Sequence, residues 1–273
     1  MPKKIKTFQR ILNCISSQET EKDWRFEHAV GAGLVAAPTV TAAASPAAAT
    51  PPAGVDLREP WWTIGDQLAT GSCVGWATAD SVLRWHFVKA NLFPPDQLLS
   101  PRFIWMAAKE TDSFRTQPTT FIELEGTSLK TALDIARKFG AVSDTILPFN
   151  SGQLYPEDRR TFYAIAAQLK IASYFNLGLD PAKWRAWLDS KGPILTRLEV
   201  DDTWDNATDT QGNLDVYHPA AVRGGHAVAL VGYTSDRFIV RNSWGTGWGD
   251  QGYAYATLAY AQAAFLEAYG VVI

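Results

Sequence analysis

The sequence predicts an α+β fold with two lobes and a cleft between them. Three observations carry this. Apolar residues recur at helical spacing through the first half of the chain. After Gly192-Pro193 the period changes, and strand-like runs dominate. A short segment around Cys73 in the first half is matched by segments around His226 and Asn242 in the second.

Residues 1–54 precede the expected folded body. Residues 1–28 are mixed and polar, with a short amphipathic pattern at Phe8, Ile11, Leu12 and Ile15. Two readings stand for this stretch: a floppy tail, or a pro-segment or export address. Residues 36–53 are rich in Ala, Pro and Thr, a linker composition that cannot bury a core. The body is expected to start at Val55-Asp56-Leu57-Arg58.

A helix is predicted from Cys73, with Val74, Ala77, Ser81, Trp85 and Val88 on one face. Ser100-Pro101 opens another, because Ser caps the free amides of a first turn and Pro suits the first helical position. Residues 111–125 read as a loop. Thr127 or Ser128 caps a helix carrying Leu129, Ala132, Leu133, Ala136 and Phe139, which Gly140 stops. Tyr155-Pro156-Glu157-Asp158 opens a further helix with Phe162, Ile165, Ala166 and Leu169 inward. Asp180-Pro181 opens a short one with Trp184, Trp187 and Leu188. Strands are predicted at 194–200, 226–233, 238–242 and 252–256, with residues 234–237 as a hairpin connection. This places a helical lobe over about 70–190 and a β lobe over about 191–273, within one domain at 55–273. No internal repeat is evident.

Composition excludes several classes. At 273 residues, 47% hydrophobic with eleven Trp, the chain can hold a large packed core. A net charge of −3 gives no general reason to expect nucleic-acid or anionic-membrane binding. No strongly apolar run reaches the roughly 18 residues of a membrane span. The start is basic, but no apolar stretch follows it directly, so a Sec-type signal is not expected. The expected location is cytoplasmic, or outside by export without such a signal, as an effector would be. The two cysteines, Cys14 and Cys73, lie on segments of very different character, so no disulfide scaffold is expected.

The chemistry centres on Cys73. A thiol attacks as the thiolate, and an ordinary cysteine is only slightly ionised at neutral pH. A helix N-terminus at Cys73 and an imidazolium from His226 would each favour the anion. His226 would then protonate a leaving amine as general acid. Asn242 is suited to accept a hydrogen bond from the far ring nitrogen and orient the ring without adding charge. An oxyanion would be met by the backbone amide of Cys73 and the side-chain amide of Gln67. Trp244, two residues after Asn242, would keep water off the Asn–His bond. Each residue alone has a plainer reading: a packed Cys, a strand-end His, a turn Asn, a surface Gln. Together they occur in the order and contexts that one mechanism needs. His28, His86 and His218 have no such companions. Asp201-Asp202 and Glu123/Glu125 have no His or Cys near them in sequence, so they read as solvated loops. Neither a metal nor a cofactor is expected.

At these residues the sequence resembles the papain-like cysteine peptidases, over roughly Val55 to Tyr255. The stretch Gly224-Gly225-His226-Ala227-Val228-Ala229-Leu230-Val231-Gly232-Tyr233 is similar to the family's His strand. Asn242-Ser243-Trp244-Gly245-Thr246-Gly247-Trp248-Gly249-Asp250-Gln251-Gly252-Tyr253 is similar to its Asn–Trp segment, and Gln67 to Cys73 has its Gln-to-nucleophile spacing. The resemblance implies Cys73 as nucleophile, His226 as base and acid, Asn242 as orienter and Gln67 as oxyanion donor. It implies a helical left lobe, an antiparallel β-barrel-like right lobe, and a peptide or protein substrate across the cleft. Gly126-Thr127 stands where the family has a substrate-pairing Gly-Gly. Gly225 and Arg197 join them as candidate substrate-binding residues. Thr70 replaces a Cys that is commonly disulfide-bonded, so this looks like a bacterial-type, disulfide-free member. Residues 1–54 are shorter than the usual pro-domain, and intramolecular inhibition by them is one expectation. The same triad would also serve an amidase, a transglutaminase-like enzyme or an isopeptidase, and the scaffold would serve a non-catalytic binding protein.

Overall fold

The structure is a computed structural model and describes residues 10–38, 53–111, 124–151 and 159–273. Its centre is a sheet built on β3 (Ile194–Val200), which pairs antiparallel with β5 (Gly224–Tyr233) and with β8 (Phe265–Val272). Beyond β8 lies β2 (Ser173–Asn176). Beyond β5 lie β6 (Arg237–Arg241), β7 (Tyr253–Thr257) and β4 (Asn213–Leu214), while β1 (Val55–Asp56) adds to β5. Burial explains why β5 reads as a nearly unbroken apolar run. It has neighbours on both edges and is buried from His226 onward.

The right lobe, expected to be antiparallel and barrel-like, is a sheet that does not close. The strand path is open, from β2 to β4, and β4 pairs parallel with β7. The sheet also takes in residues before 191. β2 pairs along β8, and α7 (Pro181–Ser190) buries Trp184 and Trp187 in the same core as Phe238 and Phe265. Helix α8 (Leu258–Ala264) leads into β8, an unpredicted hairpin-free return to the sheet centre.

The helical side follows its local signals. Cys73 begins α2 (Cys73–Thr78), which passes through a π-turn at Ala79–Leu83 into α3 (Arg84–Lys89). α4 (Pro101–Thr111) is capped by Ser100, whose Oγ accepts from the Phe103 amide at 3.1 Å. α5 (Leu129–Lys138) is capped by Ser128, which accepts from the Thr131 amide at 3.3 Å, and Gly140 beyond it takes a left-handed φ of 100°. Asp180 caps α7 through the Ala182 amide at 2.9 Å. Residues 112–123, most of the expected loop, and the opening at 155–158 lie outside the described residues. α6 (Arg159–Ala166) follows, with Ala166 buried as expected. Ile165 instead faces out, 37% exposed.

The largest departure is at the N-terminus. Residues 10–35 are not a tail. Of the amphipathic pattern, Phe8 lies outside the described residues, and Ile11, Leu12 and Ile15 belong to an extended segment, with isolated bridges Asn13–Gly225 and Ile15–Ser128. α1 (Phe26–Gly31) then packs Phe26 and Ala29, followed by Val35, into the sheet-side core. Asp23 locks this docking: it pairs with Lys130 at 2.5 Å and accepts from Tyr269 Oη at 2.9 Å. Among the described residues, no helix is long and apolar enough to cross a membrane.

Candidate active site

Three elements meet at the site. α2 presents Cys73 in its first turn, β5 presents His226, and the loop after β6 presents Asn242. All three side chains are buried. His226 Nε2 and Asn242 Oδ1 are hydrogen-bonded at 2.8 Å, and the same Oδ1 accepts from the Ser243 amide at 2.8 Å. An oxygen that accepts twice is fixed, so it holds Nε2 as the protonated nitrogen. Nδ1 is left without a hydrogen-bond partner of good geometry, and His226 is among the groups that hold the Cys73 thiol's pKa down.

The Cys73 thiol is pushed well below its ordinary pKa. The hydrogen bond from the neighbouring Cys14 thiol is the largest cause. Burial opposes it; hydrogen bonding and charge at His226, then the Ala227 backbone, reinforce it. Cys14 is pushed the other way, by burial first and then by Cys73. Cys14 and Cys73 lie 59 positions apart, and only the fold brings them together. Both are free thiols in one buried cluster.

Gln67 is held from both sides. Its amide nitrogen Nε2 donates to Thr70 O at 3.0 Å, and its Oε1 accepts from Ser243 Oγ at 2.9 Å. Its backbone amide donates to Ser243 O at 2.8 Å, which ties the loop before α2 to the loop bearing Asn242. Nε2 also reaches Ile11 O at 3.4 Å, so a carbonyl of the N-terminal segment lies at the expected oxyanion donor.

An aromatic wall stands behind His226. Trp244 lies 5.0 Å from the imidazole, centroid to centroid, and Trp204 meets the ring edge-on at 5.7 Å. Trp248 stacks on Trp204 at 4.9 Å. Trp244 was readable from its place after Asn242; Trp204 and Trp248 were not assigned. Trp204 follows Asp201-Asp202, a pair whose sequence alone suggests solvated loops. Asp201 is in fact buried and accepts from Tyr260 Oη at 2.7 Å, Thr203 Oγ1 at 2.6 Å and the His218 amide at 2.7 Å. His218 thus comes beside the acidic pair, and one ligand atom each from Asp201, Asp202 and His218 falls within 4.8 Å of the others. Glu125 pairs with Lys109 at 3.3 Å, and Glu123 lies outside the described residues.

The remaining predicted residues line a groove that the N-terminal segment fills. The Cys14 amide donates to Gly225 O at 2.9 Å, and the Ile15 amide donates to Thr127 O at 3.0 Å. Arg197 is buried, and its Nε donates to Cys14 O at 3.0 Å. The close approach requires glycine. A Cβ on Gly126 would lie 1.6 Å from Asn13 O, and one on Gly225 would lie 2.3 Å from Cys14 O.

Residues 51–268 match the family model described as papain family cysteine protease. The chain belongs to the papain family of cysteine proteases. Among curated papain-family relatives, cathepsin B-like CP2 of Giardia intestinalis is 29% identical over 135 residues, 42% of this chain. That match covers 41% of the relative's length. Xylellain, a cysteine protease from Xylella fastidiosa, has the same fold at a TM-score of 0.73 and 19% identity, over 96% of each chain. Digestive procathepsin L2 from Tenebrio molitor follows at a TM-score of 0.66 and 18% identity, over 97% of this chain and 78% of that one.

Proposed function

We propose that this chain hydrolyses peptide bonds through a thioester on Cys73, and that residues 10–18 hold it latent. The observation that carries the reading is the His226–Asn242 bond at 2.8 Å, with the far nitrogen left for Cys73 at the start of its helix.

In this mechanism the Cys73 thiolate attacks the scissile carbonyl carbon. Negative charge moves to the oxygen, which accepts from Gln67 Nε2 and the Cys73 amide. His226 gives its Nδ1 proton to the leaving nitrogen as the C–N bond breaks, and Asn242 keeps the ring in place. The neutral imidazole then takes a proton from water, whose oxygen displaces the thiolate. The wall of Trp244 and Trp204 supports the Asn–His bond by excluding competing water.

The groove takes its substrate as an extended strand. Backbone atoms of Gly225 and Thr127 would pair with the substrate as they pair with Cys14 and Ile15. Arg197 would meet a substrate carbonyl or an acidic side chain. Latency is supported by the covered nucleophile: Cys73 is fully buried, with Ile11 O at the Gln67 donor.

Cys73→Ala tests the nucleophile. Cleavage of a peptide library and labelling by a thiol-directed epoxide should both vanish, while the melting temperature stays near that of wild type. Cleavage that survives the substitution sinks the reading.

A further inference from the structure

The chain has two cysteines, and the fold brings them together at the one place where a thiolate is expected. Cys14 arrives on an extended segment rather than in packed secondary structure. Its backbone is clamped on both sides: its amide donates to Gly225 O at 2.9 Å, and its carbonyl accepts from Arg197 Nε at 3.0 Å. Gly225 directly precedes His226, so the clamp fixes the Cys14 backbone one residue from that histidine on β5. With the backbone held, the short side chain hydrogen-bonds the Cys73 thiol. Its Sγ also makes a weak contact with Ile15 O at 4.0 Å, and the charges of Glu267 and Arg197 act on it with opposite sign.

We propose that Cys14 is a resolving cysteine for Cys73: under peroxide the two form a reversible disulfide that locks the N-terminal segment over the cleft. This rests on the reading of Cys73 as an activated nucleophile. The balance is as follows. In a transient opening of the segment, the Cys73 thiolate attacks one oxygen of hydrogen peroxide and the O–O bond breaks. The hydroxide released takes up a proton and leaves as water, and Cys73 carries a sulfenic acid. The Cys14 thiol, losing its proton to His226, attacks the Cys73 sulfur. The S–O bond breaks, and the hydroxide leaves as water with that proton. Two thiols are oxidised, one peroxide is reduced, and two waters form. An external dithiol reverses the bond and returns Cys73 to its thiolate.

The full chain is treated with hydrogen peroxide, remaining thiols are blocked with iodoacetamide, and the protein is digested with trypsin without reduction. Wild type should yield the peptide 11–22 joined to the peptide 59–84, lighter by two hydrogens than the pair, and dithiothreitol should separate them. In Cys14→Ser and Cys14→Ala, Cys73 should instead gain two or three oxygens that dithiothreitol does not remove. Circular dichroism checks that both variants fold. If wild-type Cys73 gains oxygens at the same rate as in the variants while Cys14 stays alkylated, the proposal is overturned. A cross-link only between two chains overturns it as well. The mass readout does not depend on turnover. Peptide cleavage by Cys14→Ser reports separately on the nucleophile, so failure of the disulfide and failure of the peptidase reading are distinguishable.

Discussion

If residues 10–18 keep the enzyme latent, loosening their first anchor should open the cleft by a calculable amount. That anchor is Arg10. It forms an ion pair with Asp66, donates through Nη1 to Leu68 O at 3.1 Å and through Nη2 to Trp244 O at 3.0 Å, and lies 5.9 Å over the Trp244 ring. The Asp66 side chain is 37% exposed, so screening holds the pair to about 0.5 kcal/mol. The two donations to carbonyls add about 0.5 kcal/mol each at this partial burial. The ring contact adds roughly another 0.5 kcal/mol. Arg10→Ala should therefore shift the closed state by about 1–2 kcal/mol, a rise of roughly 5–30-fold in the open fraction. Cys73 is buried when the segment is down, so iodoacetamide reaches it from the open state, and its alkylation rate tracks that fraction. The rate is read from the mass of the Cys73 peptide, beside the initial rate of peptide cleavage. Salt at about 0.5 M should raise the wild-type rate and narrow the gap, because it screens the ion pair. An alkylation rate within about twofold of wild type at low salt would refute the latency argument, whatever the cleavage rate does.

Two further outcomes concern the frame around the site. Asp80, in the π-turn after α2, is buried between Arg84 at 2.9 Å and Arg241 at 2.5 Å, and Arg241 directly precedes Asn242. Asp80→Ala strands two buried guanidiniums, so urea unfolding should report a loss of about 3–5 kcal/mol; a loss below about 1 kcal/mol refutes this. His86 has its pKa pushed down from 6.5 to about 4 by burial, and its Nε2 has no partner. The unfolded chain takes up that proton near pH 6.5 while the folded chain refuses it until about pH 4. Stability is therefore lost as pH falls through this window, by about 3 kcal/mol in all. His86→Leu should flatten the loss between pH 7 and pH 4, measured by urea midpoints, and an unchanged slope would count against a buried neutral imidazole.

The readable parts of this protein are those whose cause lies within a few residues. Ser100, Ser128 and Asp180 cap helices because each bonds an amide two or three positions on, and a local sequence carries that whole interaction. The segments around His226 and Asn242 were readable for another reason: a strand and a tight loop must carry particular residues to bring Nε2 and Oδ1 together. What stayed hidden depends on partners far along the chain. Asp201 reads as solvated until Tyr260 and the His218 amide satisfy it, and with it goes the burial of Trp204. The pattern Ile11, Leu12 and Ile15 suits a helix face as well as a strand laid in a groove. Only the groove decides, and its walls at Gly126 and Gly225 are defined by side chains they do not have. A bare backbone accepts any extended chain with free amides, so these positions cannot reveal whether the occupant is foreign or the protein's own first segment. The exception is Cys14, the one side chain in that segment whose chemistry is specific to what lies beneath it.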